Sequence, residues 1–199
     1  RRVADSLPRM VKIMAESKTA YDLIVIGGGT AGLTAAGFAA RLGVRVALIE
    51  KSRLGGDCTW TGCVPSKALL KLAKIAHATK TAESYGVCSG NGRLQVDMTR
   101  VRAYVQQAIA DVYKHEKPEQ LARDGIDLIF GAARFVDAHT LQVGEQTLTA
   151  KKFILTTGAQ PLIPNVPGLQ KVPYLTYLQI FDNDHLPERL LVMGAGPIG

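Results

Sequence analysis

The sequence predicts an α/β fold, and two observations carry that prediction. An apolar, partly β-branched run at residues 23–26 breaks at three glycines and continues as a helical pattern of small residues. A strand-then-glycine pattern of the same kind returns at residues 190–199. Strands that alternate with helices in this way form parallel sheets. We therefore expect one α/β domain and the start of a second.

The first βαβ unit occupies the segment YDLIVIGGGTAGLTAAGFAARLGVRVALIE. Its helical pattern extends to Leu42, and a second apolar strand follows at residues 45–49. Beyond this strand, apolar positions recur at helical spacing over residues 67–83 and again over residues 101–112. Two amphipathic helices are therefore predicted after the second strand.

The middle of the chain predicts a small β-meander inserted in this domain. Pro118 suits the first turn of a short helix, and Gly125 suits its end before a strand at residues 126–130. Short alternating segments and one more apolar strand follow at residues 134–136, 140–143, 147–149 and 153–155. Three prolines within residues 158–168 predict an extended connection that leaves the domain.

Composition narrows the class of function. The net charge is +7, yet the lysines and arginines are dispersed without a dense basic run, so no nucleic-acid partner is expected. No apolar run approaches the roughly 18 residues needed to cross a bilayer, so no membrane association is expected. Three cysteines do not make a secreted disulfide framework, which favours a reducing, cytoplasmic setting.

The chain divides into three predicted parts. Residues 1–20 have five basic and two acidic side chains and no apolar signal-peptide core, so we expect a flexible leader. An organellar transit remnant, plastid or mitochondrial, is the alternative for this leader. Residues 21–165 form the predicted first domain, and residues 166–199 form the start of the second.

The first glycine turn has the form G-x-G-x-x-G, made by Gly27, Gly29 and Gly32. It links a strand to a helix, so the backbone is free to approach a pyrophosphate whose charge faces the helix N-terminus. Glu50 ends the second strand, where an acidic side chain meets ribose hydroxyls. This pattern predicts a Rossmann-like dinucleotide site for FAD or NAD, and a tight turn without a ligand is the alternative.

A second copy of the motif is made by Gly194, Gly196 and Gly199, after the apolar run at residues 190–193. Two such motifs imply two nucleotide sites. An enzyme that passes a hydride from nicotinamide to flavin needs that arrangement.

Two of the three cysteines lie five positions apart in GGDCTWTGCVPSK, as Cys58 and Cys63. Cys88 stands alone and the four histidines are scattered singly, which does not fit a zinc site, so no metal is predicted. Cys63 precedes a helix that carries Lys67 in its first turns, and a helix N-terminus and a cation both favour a thiolate. The pattern favours a reversible dithiol pair, and a structural bridge is the alternative.

From Tyr21 to Gly199 the sequence resembles the class I pyridine nucleotide–disulfide oxidoreductases, flavoenzymes that include dihydrolipoamide dehydrogenase, glutathione reductase and mercuric reductase. The resemblance lies in GGGTAG, Glu50, GGDCTWTGCVPSK, TTGAQP and MGAGPIG. A CxxxxC pair followed by VPSK, downstream of a dinucleotide motif, is specific to this family.

The resemblance implies a Rossmann-like FAD-binding domain, the start of an NAD(P)-binding domain, and an active-site disulfide between Cys58 and Cys63. In the family the first cysteine exchanges with the substrate and the second faces the flavin, near Lys67. Electrons then pass from NAD(P)H through FAD and the disulfide to an acceptor, as in EC 1.8.1 enzymes. The cofactor contacts implied are Gly27, Gly29, Thr30, Ala31, Gly32, Glu50, Lys51, Asp57, Cys58, Lys67, Ala133, Thr157, Gly158, Gly194, Gly196 and Gly199.

Several positions depart from the usual family pattern. The Ala-Thr-Gly motif is Thr-Thr-Gly here, and Gly37 and Phe38 stand where glutathione reductases carry arginine, which disfavours glutathione. Asp57 and Trp60 replace the usual Thr or Val and Asn, a version most similar to the mercuric-reductase-like branch. The acceptor, a disulfide, lipoamide or mercuric ion, and the choice of NAD or NADP are left open.

Family members also dimerise through a C-terminal domain that supplies a His-Glu pair, and the 199 residues contain nothing similar to it. We therefore expect a homodimer whose N-terminal fragment is inactive alone. Full activity in the isolated fragment would refute this. Two other functions are considered: a flavin NADH dehydrogenase or oxidase that uses quinone or oxygen, and a non-catalytic redox-sensing flavoprotein.

Overall fold

The computed structural model describes residues 20–87, 95–196 and 198–199. These residues contain six strands and five α-helices, with short 3₁₀ segments at Ala82–Tyr85, Leu169–Lys171 and Ile180–Asp182. In chain order the strands and helices are β1 (Ala20–Ile26), α1 (Thr30–Arg41), β2 (Val46–Glu50), α2 (Gly56–Trp60), α3 (Cys63–Thr81), α4 (Met98–Tyr113), α5 (Pro118–Arg123), β3 (Ile126–Phe130), β4 (Ala133–Phe135), β5 (Thr140–Val143) and β6 (Gln146–Leu155).

The six strands form one sheet in the order β3-β2-β1-β6-β5-β4. The pairs β3–β2, β2–β1 and β1–β6 are parallel, and β5 and β4 continue the sheet as an antiparallel meander. The carboxyl ends of β1, β2 and β6 therefore meet at one edge. In open α/β sheets this edge holds the ligand.

The central parallel strands β1 and β2 are buried on both faces, as expected for a sheet between two layers. Val25 and Leu48 pack under α1 and α5, while Ile24 and Ala47 face the layer formed with the meander. All four side chains are fully buried. A third apolar cluster, centred on Val105, joins α3 and α4.

Residues at the N-terminal ends of α4 and α5 explain why these helices begin where they do. The Asp97 carboxylate accepts a hydrogen bond from the backbone N–H of Arg100 at 3.2 Å and caps α4. Pro118 begins α5 as predicted, because its fixed φ suits a first helical turn. The predicted helices and the predicted strand at residues 126–130 are thus confirmed, with small shifts at their ends.

Two boundaries in the sequence prediction are wrong. The strands expected at residues 147–149 and 153–155 are one ten-residue strand, β6, because residues 146–149 pair with β5 and residues 149–155 pair with β1. Ala20 was assigned to the leader but begins β1, where it pairs with Thr149. The rest of the predicted leader lies outside the described residues.

The strand predicted at residues 190–193 is also wrong. These residues have no regular structure and their side chains are exposed. A strand is held by a ladder of hydrogen bonds to a neighbour, and no described strand lies beside them. The division into two domains remains a prediction.

Among the described residues, no helix combines the length and the apolar character needed to cross a membrane.

Candidate dinucleotide and redox site

The glycine turn lies where β1 ends, at the carboxyl edge of the sheet. The Gly27 N–H donates to the Ile49 carbonyl at 2.8 Å, which holds the turn against the end of β2. Helix α1 begins after Gly29 with no side-chain cap and no acidic residue in its first turn. The N–H groups of Thr30 and Ala31 are therefore left for an external anion, as a pyrophosphate site requires.

At position 32, the third glycine of the motif, the packing leaves no space for a side chain. A Cβ atom at Gly32 would overlap the carbonyl oxygen of Gly27 and would lie 2.8 Å from Thr156 Oγ1. The helix can approach β1 this closely only because that atom is missing. The spacing of the motif therefore reflects packing as well as ligand access.

Glu50 is buried at the end of β2, with 7% of its surface exposed. Its Oε2 accepts from the Gly28 N–H at 2.7 Å, and its Oε1 accepts from the Ser52 N–H at 2.8 Å. Each carboxylate oxygen accepts about two hydrogen bonds. Oε2 thus keeps a lone pair for a ribose hydroxyl, and the residues present fit a dinucleotide.

The redox segment is attached directly to this glycine turn. The Gly55 N–H donates to the Gly28 carbonyl at 2.8 Å, and Gly29 and Gly55 form a parallel bridge. A Cβ atom at Gly56 would lie 2.7 Å from the Gly29 Cα, so the two backbones are in contact. The sequence did not predict this junction. The adjacent glycines at positions 55 and 56 were its only local signal.

A disulfide bond links Cys58 and Cys63, as the family resemblance implied, and their Cα atoms are 4.6 Å apart. Cys58 is half-buried in the short helix α2, which the sequence analysis missed, and Cys63 is exposed as the first residue of α3. Lys67 is also exposed and lies one turn along the same helix face. The prediction that Cys63 lies at a helix N-terminus is confirmed.

The metal alternative gains no support from the described residues, where no three His, Cys, Asp or Glu side chains are grouped as metal ligands. Cys88 lies outside the described residues.

Side chains from distant segments hold the short helix α2. The Thr59 hydroxyl donates to both carboxylate oxygens of Glu116, at 2.8 and 3.0 Å. The Trp60 Nε1–H donates to the Leu54 carbonyl at 2.7 Å, and the indole packs against the Tyr113 ring with centroids 5.0 Å apart. Trp60 is visible in the sequence as a departure from the family pattern, whereas no pattern in the sequence indicates Glu116 or Tyr113.

Two further contacts flank the redox segment. The Arg53 guanidinium lies 4.1 Å from the centroid of the Trp60 ring, a cation–π geometry. The Tyr177 hydroxyl donates to Asp57 Oδ2 at 3.3 Å and so joins residues 158–189 to the segment. Burial and the negative charge of Asp57 raise the pKa of Tyr177 above its ordinary value.

The remaining predicted FAD contacts lie in two places, the carboxyl edge of the sheet and the outermost strand β4. Thr157 and Gly158 lie two and three residues after the end of β6 and are exposed at the carboxyl edge, and Lys51 is exposed after Glu50. Ala133 begins β4 on the margin of the sheet, three residues after β3 ends.

Thr156, the departure from the usual Ala-Thr-Gly motif, ties β6 to the glycine turn. Its Oγ1 donates to the carbonyl oxygens of Ile26 and Gly27 at 3.0 and 2.9 Å. We expect Thr156→Ala to lower the free energy of unfolding by about 1 kcal/mol, because both interactions are lost. Urea denaturation will measure the change. Thr156→Ser keeps the hydroxyl and is the control, so equal losses in the two variants would contradict this role.

Two features of the second glycine motif match the first. Gly194 has φ +119°, close to the +107° of Gly27. A Cβ atom at Gly199 would overlap the Gly194 carbonyl oxygen, the same relation that joins Gly32 to Gly27.

A cavity of about 330 Å³ opens between α1 and the connection from α4 to α5. It is lined by charged side chains of both signs, including Arg41, Asp124 and Glu116. Gly37 also lines it, and no atom lies within 4 Å of the place where a Gly37 side chain would begin. Because Glu116 binds Thr59, the cavity lies next to the helix that carries Cys58.

A dinucleotide turn bonded to a segment with a redox-type disulfide defines a class, the flavin-dependent disulfide oxidoreductases. Comparison with known families agrees, since the model of the family "Pyridine nucleotide-disulphide oxidoreductase" matches residues 21–199. The chain belongs to this family. Its members use FAD and NAD(P)H, which confirms the predicted cofactors at the level of the family.

Curated relatives include two proteins named mercuric reductase. The one from Lysinibacillus sphaericus is 36% identical over 179 residues, which is 90% of this chain and 32% of that protein. The one from Bacillus cereus is 36% identical over 190 residues, which is 95% of this chain and 30% of that protein. The chain therefore spans about a third of the length of these relatives.

A solved structure with the same fold is the HOCl-induced flavoprotein disulfide reductase RclA from Escherichia coli. It is 29% identical, with a TM-score of 0.65, and the match covers 84% of this chain and 35% of that one. The likeness supports the predicted α/β fold of an FAD-binding domain.

Proposed function

We propose that this chain provides the FAD site and the redox disulfide of an NAD(P)H-dependent disulfide oxidoreductase. The observation that carries the proposal is the hydrogen bond from Gly55 to Gly28, because it attaches the Cys58–Cys63 segment to the dinucleotide turn. Residues 21–165 would bind FAD. Residues 166–199 would begin the NAD(P)-binding domain through Gly194, Gly196 and Gly199.

Within the FAD site each group has a separate task. The first-turn N–H groups of α1 bind the pyrophosphate, and Glu50 accepts hydrogen bonds from the ribose. Thr157 and Gly158 close the edge beside β6. When bound, FAD accepts two electrons from the nicotinamide and makes them available to the disulfide.

Two electrons and two protons reduce the Cys58–Cys63 bond to two thiols. Cys58 loses its proton and attacks a disulfide acceptor as a thiolate, which forms a mixed disulfide and releases a thiolate that takes up one proton. Cys63 loses its proton and attacks the Cys58 sulfur of this mixed disulfide, which restores the Cys58–Cys63 bond and releases a second thiolate that takes up the other proton. The N-terminus of α3 and the nearby Lys67 favour Cys63 as a thiolate.

The acceptor we propose is a disulfide other than glutathione, because Gly37 and Phe38 stand where glutathione reductases carry arginine. Mercuric ion is the second candidate, supported by the names of the two curated relatives.

We also propose a homodimer that works in the cytoplasm. Dimers are typical of the family, and the relatives compared above all come from bacteria. The organellar alternative has no support.

Anaerobic titration of the FAD-loaded protein with NADH and then NADPH tests the proposal. We expect two electron pairs to be taken up, one by FAD and one by the disulfide, with long-wavelength absorption from a thiolate against the flavin. The preferred nucleotide will reduce the protein at the lower concentration. Uptake of only one electron pair would overturn the proposal and favour a flavin dehydrogenase or oxidase.

A further inference from the structure

The short helix α2 needs support from outside itself. It has five residues, begins after Gly55 without a side-chain cap, and carries Cys58 at its centre. A single helical turn has no stability of its own in water. In the oxidised protein the disulfide ties this turn to the 19-residue helix α3, and reduction removes that covalent link.

Thr59 and Glu116 are one of the side-chain pairs that hold the turn independently of the disulfide, beside the contacts of Trp60 and Asp57 described above. Thr59 is 2% exposed, and its hydroxyl lies 2.8 and 3.0 Å from the two carboxylate oxygens of Glu116. Glu116 lies just beyond α4, where its N–H donates to the Tyr113 carbonyl at 3.0 Å. A hydrogen bond to a carboxylate is stronger than one between neutral groups.

The Thr59–Glu116 pair packs closely against the backbone at Gly55. A Cβ atom at Gly55 would lie 2.6 Å from Glu116 Oε2 and 2.9 Å from Thr59 Cβ, so the carboxylate packs directly on the loop backbone. Among the described residues, no lysine or arginine forms an ion pair with Glu116. Among the described residues, the Thr59 hydroxyl is therefore the group that orients the Glu116 carboxylate.

We propose that Thr59 and Glu116 are positioning residues that hold Cys58 beside Cys63 after the disulfide is reduced, and that they thereby favour its reformation. This inference rests on the proposed function, in which the pair cycles between disulfide and dithiol. The ease of closing a disulfide depends on the effective concentration of one thiol near the other. Without the hydrogen bond between Thr59 and Glu116, α2 gains conformational freedom in the dithiol form, whereas in the disulfide form the Cys58–Cys63 bond still restrains it. The equilibrium therefore shifts toward the dithiol.

Equilibration with mixtures of reduced and oxidised dithiothreitol tests the inference on the FAD-loaded protein. Two electrons and two protons pass from dithiothreitol, which closes to its cyclic disulfide, to the Cys58–Cys63 bond. Thiol alkylation and mass spectrometry then give the dithiol fraction. For Thr59→Val we expect the equilibrium to shift about tenfold toward the dithiol, the amount that corresponds to one charge-assisted hydrogen bond.

The chain offers a matched control two residues away. The Thr61 hydroxyl is buried without a described hydrogen-bond partner, so Thr61→Val should leave the equilibrium within twofold of the original protein. Thr59→Ser keeps the hydroxyl and should restore the original value. Glu116→Ala removes the acceptor from outside the redox segment and should reproduce the tenfold shift, even if Thr59→Val fails to fold.

The outcomes separate this inference from the proposed function. Suppose that the Cys58–Cys63 bond of the original protein can be reduced and reformed, but the dithiol–disulfide equilibria of Thr59→Val and Glu116→Ala both lie within twofold of it. This result overturns the positioning role alone. Equal shifts in Thr59→Val and Thr61→Val also overturn it, because the effect is then general to the loop. A Cys58–Cys63 bond that cannot be reduced and reformed overturns the proposed function and this inference together.

Discussion

Cys63→Ser is expected to lower NAD(P)H-dependent disulfide reduction by at least about 10³-fold, the scale seen when an enzyme loses a residue of its covalent chemistry. Serine cannot form the bond to Cys58, so electrons have no path from the flavin to the acceptor. Cys63 is exposed at the start of α3, and the substitution removes no packing. We therefore expect FAD binding to be unchanged, whereas thermal stability should fall because the disulfide that ties α2 to α3 is lost.

The long-wavelength absorption of the reduced protein distinguishes the two cysteines. In the proposed mechanism the Cys63 thiolate faces the flavin, so this absorption should vanish in Cys63→Ser and persist in Cys58→Ser, which keeps that thiolate. Both variants should lose turnover. Cys88→Ser is the control and should keep both properties. Turnover of Cys63→Ser within tenfold of the original protein would contradict the mechanism and favour electron transfer to quinone or oxygen.

Gly32→Ala is expected to lower the free energy of unfolding by about 1–3 kcal/mol, the usual cost of overpacking. The added Cβ would overlap the Gly27 carbonyl oxygen, so α1 must move away from β1. That movement displaces the N–H groups of α1 that we propose as the pyrophosphate site. If FAD binding loses the same free energy of about 1–3 kcal/mol, FAD affinity falls by about fivefold to 150-fold. Thermal denaturation and flavin fluorescence titration will measure the two effects.

Gly37→Ala provides the matched control on the same helix. No atom lies within 4 Å of a Cβ at Gly37, so the methyl group meets open space. Alanine is favoured over glycine in a helix by about 1 kcal/mol, so this variant should gain stability and keep its FAD affinity. A gain of stability in Gly32→Ala, or an equal effect in the two variants, would contradict the packing role of Gly32.

The sequence predicted the elements that depend on local periodicity. The strand at residues 126–130 and the helices after the cysteines follow from the spacing of apolar side chains, which neighbours in the chain decide. The helix α2 was missed because GDCTW is too short to show a helical period. The strand predicted at residues 190–193 failed because a strand also needs a neighbour, which a local apolar run does not provide.

The candidate site divides in the same way. A dinucleotide turn and a redox pair were predicted from the glycine spacing, Glu50 and the two cysteines. These patterns are visible because each consists of residues that lie close together along the chain. The contact of Glu116 with Thr59 crosses 57 positions, and that of Tyr177 with Asp57 crosses 120. No pattern along the chain indicates such pairs.

The sequence by itself determined which chemical groups this protein has and the family it belongs to, since turns, helix starts and the CxxxxC spacing are local. Only the tertiary structure decided how these groups meet. The strand order brings the ends of β1, β2 and β6 to one edge, and Gly28 then bonds to Gly55. Hydrogen bonds and packing depend on distance in space, which the sheet sets and the sequence does not display.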